Sequence, residues 1–194
     1  MRPGRPKEFD TQQVVEWAMQ GFWLNGYEAF GLTGLLECMG ISRQSLYDTF
    51  GSKRGLFIRT IEHYRQTQLS QAIALLERDG SQIENVKALV HFFETLALDG
   101  SCRGCLVANT LVELGSSDDE IAALLREILE ALRSAIESAL REAQARGELA
   151  ATKSPAEISR ALTNAVIGLA VTGKLQMDPA DIRQIYSGTL SMLD

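Results

Sequence analysis

The chain has 194 residues, 45% of them hydrophobic, and a formal net charge of −6, which is typical of a soluble globular protein with one or two domains. No apolar run approaches the ~20 residues of a membrane span, and the polar N-terminus lacks a secretory hydrophobic region. Three cysteines are too few for a disulfide scaffold, so we expect free thiols and a cytoplasmic location.

Apolar spacing and helix-capping residues predict an all-α chain without strands or internal repeats. Asp10 is a candidate N-cap for the first helix, and Gly26 a candidate stop. Pro155 and Pro179 stand where proline favours the first turn of a helix. The predicted helices cover about 10–25, 32–39, 43–49, 53–77, 82–98, 104–114, 119–146 and 155–175, followed by a last helix from Pro179.

Residues 40–53 predict a short, capped helix followed by a second helix start. Ser42 is a strong N-cap candidate, and Ile41 with Leu46 forms a hydrophobic staple. Leu46 and Phe50 are four residues apart and should both point inward. Polar side chains are then left for a DNA major groove, although these residues alone are equally compatible with a solvated surface helix.

The neighbouring residues extend this pattern. The segments GRPKEFD, GYE, MGISRQSLYDTFGSK and GLF lie between about residues 4 and 65. This run resembles the N-terminal domain of the TetR/AcrR family of bacterial transcriptional regulators. The resemblance implies a three-helix, helix-turn-helix DNA-binding domain at 1–52, and a helical effector-binding and dimerisation domain at 53–194 that begins with a linking helix at about 53–79.

The resemblance also implies a function, namely a homodimeric repressor that binds a palindromic operator in double-stranded DNA and is released by a small-molecule inducer. No cofactor, metal or enzymatic activity is implied. Repression rather than activation follows the family's usual behaviour and no particular residue. A DNA-binding activator without ligand control is therefore an alternative.

The uneven distribution of charge is compatible with DNA binding. Residues 1–65 carry eight Lys/Arg and seven Asp/Glu, whereas residues 66–194 carry eleven and eighteen. Charges further apart than about 8 Å are largely screened at physiological salt. The acidic second part therefore leaves a local basic surface possible, although non-specific DNA affinity should be weak.

Arg43 and Gln44, in the first turn of the recognition helix, are predicted to read guanine and adenine edges, respectively. The hydroxyls of Ser45 and Thr49 suit phosphates or base edges. The resemblance implies that Tyr47 and Thr33 contact the DNA backbone. Lys53 lies at the N-terminus of the next helix, where free backbone N–H groups favour a phosphate. The N-terminal arm that contains Arg5 is a candidate for a groove contact. The predicted DNA-contacting set is Arg5, Thr33, Arg43, Gln44, Ser45, Tyr47, Thr49 and Lys53.

Five positions depart from the family pattern, and two of them, Leu36 and Cys38, stand where small residues are usual. Phe30 and Gly31 stand where threonine and a second hydroxyl residue are usual, so helix 2 should have a weak N-cap. Gly21 stands where leucine is common. These departures put the packing of helix 2 in question, but not the family resemblance.

For the second part, the resemblance implies a ligand pocket enclosed by helices 4 to 8, and dimerisation through the two long helices near 119–146 and 155–175. The long apolar stripe of the first and the small residues Ala161, Ala165 and Gly168 of the second suit such an interface. An ordinary core within one chain is the alternative. The predicted ligand-contacting residues are Tyr64, His91, Phe92, Cys105, Asn109 and Glu113.

Cys102 and Cys105 form a Cys-x-x-Cys motif. Zinc lacks a recognisable second pair of ligands, and a thiol oxidoreductase lacks its βαβ context, although the latter stays open as an enzymatic alternative. The third interpretation is a thiol sensor, in which the helix N-terminus and Arg103 favour the thiolate of Cys105. The segment GCL recurs in a branch of the family whose members include thiol-responsive regulators, so a thiol-reactive inducer is one hypothesis.

Overall fold

A computed structural model describes residues 9–98 and 103–194. Its ordered elements are helices, and no strand occurs in these two ranges, which confirms the predicted all-α class. The chain divides into two compact units, one ending at Tyr64 and the other beginning at Arg65. The sequence placed the boundary after Ser52; the division falls later because the helix that follows packs on the first and third helices.

The first unit contains four helices. Helix α1 packs on α2 and α4, and α3 packs on α4. Asp10 caps α1 as predicted, because its Oδ1 accepts hydrogen bonds from the backbone N–H groups of Gln12 and Gln13 at 2.8 and 3.4 Å. The helices are α1 (Thr11–Asn25), α2 (Leu32–Met39), α3 (Arg43–Phe50) and α4 (Lys53–Tyr64).

The second unit opens with a π-helical segment, Arg65–Leu69, and not with the uninterrupted α-helix that the sequence predicted. The Ser70 hydroxyl donates to the carbonyls of Gln66 and Thr67, which competes with regular α-helical hydrogen bonding. The following helices are α5 (Ser70–Ala74), α6 (Gln82–Leu98), α7 (Leu106–Leu114), α8 (Asp119–Ala145), α9 (Pro155–Thr172) and α10 (Pro179–Leu190), with 3-10 turns at Gly173–Leu175 and Ser191–Leu193.

The core of the second unit lies between α6, α8 and α9, which pack against one another. Helix α8 buries one stripe of its surface here, including Leu125, Ile136 and Leu140, each with no exposed area. The spacing of this stripe is that of an amphipathic helix. Most of the apolar stripe predicted for α8 is therefore used within the chain itself.

The turn after α8 also fixes the start of α6. Glu148 Oε2 accepts hydrogen bonds from the Ser81 hydroxyl at 2.8 Å and from the Ile83 N–H at 3.1 Å. Arg146 donates to the Gly80 carbonyl at 2.7 Å. Because the first N–H groups of a helix have no partner within it, this carboxylate acts as a cap supplied from a distant part of the chain.

An aromatic cluster forms the centre of the first unit. Phe22 on α1 is almost fully buried, and its ring contacts those of Tyr27, Phe30 and Phe57 at centroid distances of 6.0, 5.8 and 4.8 Å. Edge-to-face contacts at these distances are favourable for aromatic rings. The cluster joins α1, the loop before α2, and α4.

Phe30 and Gly21, two of the departures from the family pattern, fit one another. A Cβ atom on Gly21 would lie 2.4 Å from Phe30 Cε1, and one on Gly34 would lie 3.2 Å from Phe30 Cε2. The Phe30 ring thus occupies the space that a larger side chain at position 21 would need. Gly31 caps α2 without a side-chain hydrogen bond, so the predicted weak N-cap is confirmed.

The fit between these two positions predicts coupled stabilities. Gly21→Leu should destabilise the protein by ~1–3 kcal/mol through overpacking against Phe30. Phe30→Ala should cost a similar ~1–3 kcal/mol through lost burial. The double variant should cost at least ~1 kcal/mol less than the two single costs combined, because the leucine then fills the vacated space. Urea unfolding of the four proteins measures this coupling, and strictly additive costs would contradict the proposed fit.

The Glu148 cap predicts a pH dependence. Hydrogen bonds from Ser81 and from the Ile83 N–H hold the pKa of Glu148 below its usual range. A lowered folded pKa stabilises the fold above the unfolded value of about 4.3, and this stabilisation is lost as the pH falls through the folded pKa. Glu148→Gln should therefore lower the melting temperature at pH 7, and the difference from wild type should shrink as the pH falls below about 4.3 and close below the folded pKa of Glu148.

Glu84→Gln is the control for this experiment. Glu84 lies exposed near the start of the same helix, where it pairs with Lys87 at 2.8 Å. Exposed pairs of this kind contribute little to stability. A melting temperature of Glu148→Gln that equals that of wild type at pH 7 would refute the capping role.

Candidate nucleic-acid interface

Helices α2 and α3 are joined by a sharp turn. Gly40 ends α2 with a left-handed φ of +63°, and the Ile41 N–H donates back to the Leu36 carbonyl at 3.4 Å. A left-handed residue at this position is the usual way to end a helix, and glycine adopts it without steric cost. Only the residues from Gly40 to Ser42 separate the two helices, which is the connection of a helix-turn-helix.

Helix α3 begins at a capped position, as predicted. The Ser42 hydroxyl accepts a hydrogen bond from the Ser45 N–H at 3.1 Å, and the two serine hydroxyls lie 2.9 Å apart. Leu46 points inward and has no exposed area, whereas Phe50, also predicted to point inward, is half-buried. Ser42 therefore fixes the start of α3, and Leu46 packs its inner face against the rest of the unit, so that the opposite face is left toward solvent.

The outer side of α3 carries the side chains that the sequence predicted to contact DNA. Arg43, Gln44 and Tyr47 are exposed, whereas Ser45 and Thr49 are half-buried. The structure therefore brings these five side chains together on one short helix. A short exposed helix with polar residues in its first turn has the form of a recognition helix.

Gln44 has an internal partner that the sequence did not suggest. Its Nε2 donates to Asp48 Oδ1 at 2.7 Å, one turn further along α3. An amide that pairs with adenine uses both its donor and its acceptor. Base reading by Gln44 therefore requires that this hydrogen bond is exchanged for one to the base.

Lys53, the first residue of α4, also has internal partners. Its Nζ donates to the Tyr27 carbonyl at 2.5 Å and lies 4.5 Å from the centre of the Tyr27 ring. These contacts tie α4 to the loop before α2. An ammonium group has three donors, so the predicted phosphate contact is compatible with this arrangement.

The two remaining predicted DNA contacts are placed differently. Thr33 lies exposed in the first turn of α2, which leaves its hydroxyl accessible. Arg5 and the rest of the predicted N-terminal arm lie outside the described residues.

Gly55 positions α3 but was not singled out from the sequence. A Cβ at this residue would lie 2.2 Å from the Phe50 carbonyl oxygen, and its N–H donates to the Ser52 hydroxyl at 2.9 Å. Only glycine allows α4 to start so close to the end of α3. In the sequence, the signal for this close approach was Gly55 itself, the glycine of the GLF segment.

The predicted ligand-contacting residues are divided between the two units. Tyr64 belongs to the first unit, where it is buried, and its ring lies 5.1 Å from that of Trp23. His91 on α6 is exposed, and its Nδ1 lies 2.8 Å from Glu94 Oε2. Glu113 on α7 is half-buried.

The predicted ligand contact Phe92 lies next to Phe93, which is the more deeply buried of the two. Phe93 is buried and lines a small cavity of about 10 Å³, whereas Phe92 is half-buried beside it. The cavity is also lined by Cys105, Ala97 and Gly173. The helical spacing of Ile83, Val86, Val90 and Phe93 already indicates in the sequence that Phe93 belongs to the apolar face of α6.

Cys105 stands at the N-cap of α7, half-buried beside this cavity. Gly104 before it has a φ of +65°, and a Cβ there would lie 2.7 Å from the Ala170 carbonyl. Asn109 braces the same region, since its Nδ2 donates to the Arg103 carbonyl at 2.8 Å and its Oδ1 accepts from Lys174 Nζ at 3.1 Å. Cys102 lies outside the described residues.

Residues 9–98 and 103–194 lack two kinds of feature. No group of three or more His, Cys, Asp and Glu side chains is arranged there to hold a metal ion. None of the helices there combines the length and the hydropathy needed to cross a bilayer.

A helix-turn-helix on a small helical unit, followed by a larger helical unit, defines a class of protein, the helix-turn-helix transcriptional regulators. Two family models match the chain: "Bacterial regulatory proteins, tetR family" at residues 14–60, and "Tetracyclin repressor-like, C-terminal domain" at residues 83–188. The chain belongs to the TetR family of bacterial DNA-binding transcriptional regulators.

Similar proteins support this assignment. The HTH-type transcriptional regulator YezE of Bacillus subtilis is 31% identical over 193 residues, which cover 98% of this chain and all of that protein. The HTH-type transcriptional repressor ComR of Escherichia coli is 27% identical, with coverage of 97% and 91%. A cysteine mutant of the regulator CifR, solved in complex with 26-base-pair operator DNA, is 28% identical and superposes with a TM-score of 0.85, with coverage of 98% and 100%.

Proposed function

We propose that this protein is a homodimeric transcriptional repressor that binds a palindromic operator through α3 and is released by a small-molecule inducer. The observation that carries the DNA-binding part is the outer side of α3, where exposed Arg43, Gln44 and Tyr47 stand on a capped helix held inward by Leu46. The similar regulator CifR was solved with operator DNA. The repressor role is supported by ComR, a repressor by name. Such a protein acts on cytoplasmic DNA.

In this proposal α3 enters the major groove and its first turn reads bases. Arg43 donates two hydrogen bonds to guanine, and Gln44 exchanges Asp48 for adenine. Tyr47, Ser45 and the other predicted contacts bind phosphates, which fixes the position of the helix on DNA without reading sequence.

The dimer is supported by surface that the single chain leaves uncovered on α8 and α9. A groove of about 380 Å³ lies along α7, α8 and α9, and is lined by apolar residues such as Leu129 and Ile167. A Cβ on Gly168 would meet no atom within 4 Å, so a second chain has room to approach α9 closely. A two-fold axis through such a surface would place two recognition helices on one face of a palindrome.

The inducer site is supported by the surroundings of Cys105. The cavity beside it has only about 10 Å³, less than any drug-sized ligand needs, so an inducer would have to enlarge it. A ligand that binds an expanded form better than the closed form shifts the population toward the expanded form. Reaction of an electrophile with the Cys105 thiol would favour expansion in the same way, because the adduct cannot fit the closed cavity.

The DNA-binding proposal predicts a specific loss of affinity. In fluorescence anisotropy with the palindrome upstream of the gene, the wild type should bind with two chains per duplex and with a steep salt dependence. Arg43→Ala with Gln44→Ala should weaken this binding by ~2–6 kcal/mol for each half-site, since each bidentate base contact is worth ~1–3 kcal/mol and each chain makes two of them. Binding to unrelated DNA should change much less.

Arg59→Ala is the matched control, because it removes an exposed arginine from the same unit. Arg59 pairs with Glu62 on α4 at 3.2 Å, away from the first turn of α3. If α3 reads the operator, this variant should keep sequence-specific binding. Equal losses in Arg59→Ala and in the double α3 variant would reduce the interaction to general electrostatics and contradict the proposal.

The thiol hypothesis predicts that Cys105→Ser stays on DNA. Treatment with N-ethylmaleimide should release the wild type from its operator and leave Cys105→Ser bound, because the serine hydroxyl is not alkylated under these conditions. Cys38→Ser and Cys102→Ser are the controls and should be released like the wild type. Release of Cys105→Ser by the reagent would assign the response to another thiol.

A further inference from the structure

A groove on the second unit lies apart from every residue discussed above as a ligand contact. It has a volume of about 390 Å³ and runs between the end of α5, the turn that leads to α6, and the C-terminal half of α8. We name it the α8 groove. Apolar side chains of Ile73, Leu76 and Ala139 line one part of it, and charged side chains line the rest.

Gln82 lines this groove and has an unsatisfied polar atom. Gln82 is only 6% exposed. Among the described residues, no group donates a hydrogen bond to its side-chain oxygen, Oε1. Buried acceptors without a partner are rare in folded proteins, because they have lost water without replacement. This oxygen has almost no solvent-accessible area, so contact with a ligand in the groove requires a rotation about the soft terminal torsion of the glutamine side chain.

The hydrogen-bond donors near the groove are largely engaged elsewhere. Arg146 is paired with Glu142 and donates to the Gly80 carbonyl at 2.7 Å. The Ile83 N–H at the start of α6 already donates to Glu148. Arg146 is therefore satisfied within the protein, whereas Arg78, the other guanidinium group that lines the groove, forms no ion pair with a described residue.

The acceptors, in contrast, are in excess. Glu77 and Asp79 line the groove, both exposed, and neither forms an ion pair with any other described residue. Carboxylates outnumber guanidinium groups among the lining residues. An orphan amide oxygen, two unpaired carboxylates and an apolar wall together favour a ligand with N–H donors, a positive charge and a short hydrocarbon part.

We propose that the α8 groove is a binding site for a small aliphatic ammonium compound, whose N–H donates to Gln82 Oε1 and whose hydrocarbon part covers Leu76 and Ala139. The carboxylates of Glu77 and Asp79 supply the attraction for its charge. The site lies within the second unit and does not depend on the proposed DNA-binding function, so each can fail without the other.

The test uses the full-length, isotope-labelled protein and n-butylammonium chloride as the probe, at constant ionic strength. Titration should give saturable NMR shifts of the Ser138 and Ala139 amides, which line the groove, with a dissociation constant in about the millimolar range. Gln82→Met should weaken binding at least ~10-fold, or ~1.4 kcal/mol. Sodium butyrate, which has the same carbon chain and the opposite charge, should give no saturable shift.

A stability measurement separates a ligand-binding role of Gln82 from a structural one. Gln144→Met is the matched control, since Gln144 Nε2 donates to the carbonyls of Ala150 and Lys153 at 3.1 and 3.0 Å. Gln144→Met should lower the melting temperature, whereas Gln82→Met should keep or raise it because no hydrogen bond is lost.

Several results would overturn the proposal. They are the absence of saturable shifts with n-butylammonium, equal binding by Gln82→Met, preferential binding of butyrate, or a melting temperature of Gln82→Met that falls as far as that of Gln144→Met. The first three would remove the ligand class, and the last would show that Gln82 is a structural residue.

Discussion

The arrangement of the first unit depends on the burial of Phe22. Its ring meets Phe57 of α4 and Phe30 of the loop before α2, so a single side chain of α1 contacts both elements that flank the helix-turn-helix. Tyr27 completes the cluster. Lys53 Nζ donates a hydrogen bond to the Tyr27 carbonyl and lies over the Tyr27 ring. Helix α3 is packed on α4, and its position therefore follows from how these rings pack.

The polar side of α3 differs from this packed aromatic cluster. Several of its side chains already have hydrogen-bond partners within the chain. Gln44 is bonded to Asp48, and Ser45 to Ser42. A base contact by the Gln44 amide nitrogen replaces a hydrogen bond that exists in the free protein, whereas the Ser45 hydroxyl keeps unused hydrogen-bonding capacity beside Ser42. The net gain in binding free energy from such an exchange is consequently small. Specificity then comes from the difference between a base that forms a replacement hydrogen bond and a base that leaves the side chain without one.

The sequence was sufficient for features that depend on local chemistry. The caps at Asp10 and Ser42 and the glycine stop at Gly26 depend on a few consecutive residues, and the structure has these helix ends where the sequence placed them. The bounds of α6 agree for the same reason, because its apolar spacing is regular and a turn segment precedes it. Local rules of this kind need no knowledge of the fold.

Features that depend on residues distant in sequence could not be predicted in this way. The fit of Phe30 against Gly21 was visible only as two separate departures from the family pattern, since nothing in the sequence indicates that they touch. Glu148, which caps α6 from a position 65 residues further along the chain, had no local signal at all. The π-helical start of the second unit likewise lay inside a stretch whose periodicity predicted a regular helix.

Charge and helix geometry together explain why a single copy of this chain would be a poor DNA-binding protein. The first 65 residues carry nearly balanced charge, and the rest of the chain is acidic, so long-range attraction to phosphate is weak. One short recognition helix supplies only a few base contacts. Under the proposed dimer, the second recognition helix binds at the high effective concentration set by the first, so affinity multiplies only where both half-sites are present. Because the affinity for non-specific DNA is weak, the many competing non-specific sites hold little of the protein, and the operator is favoured.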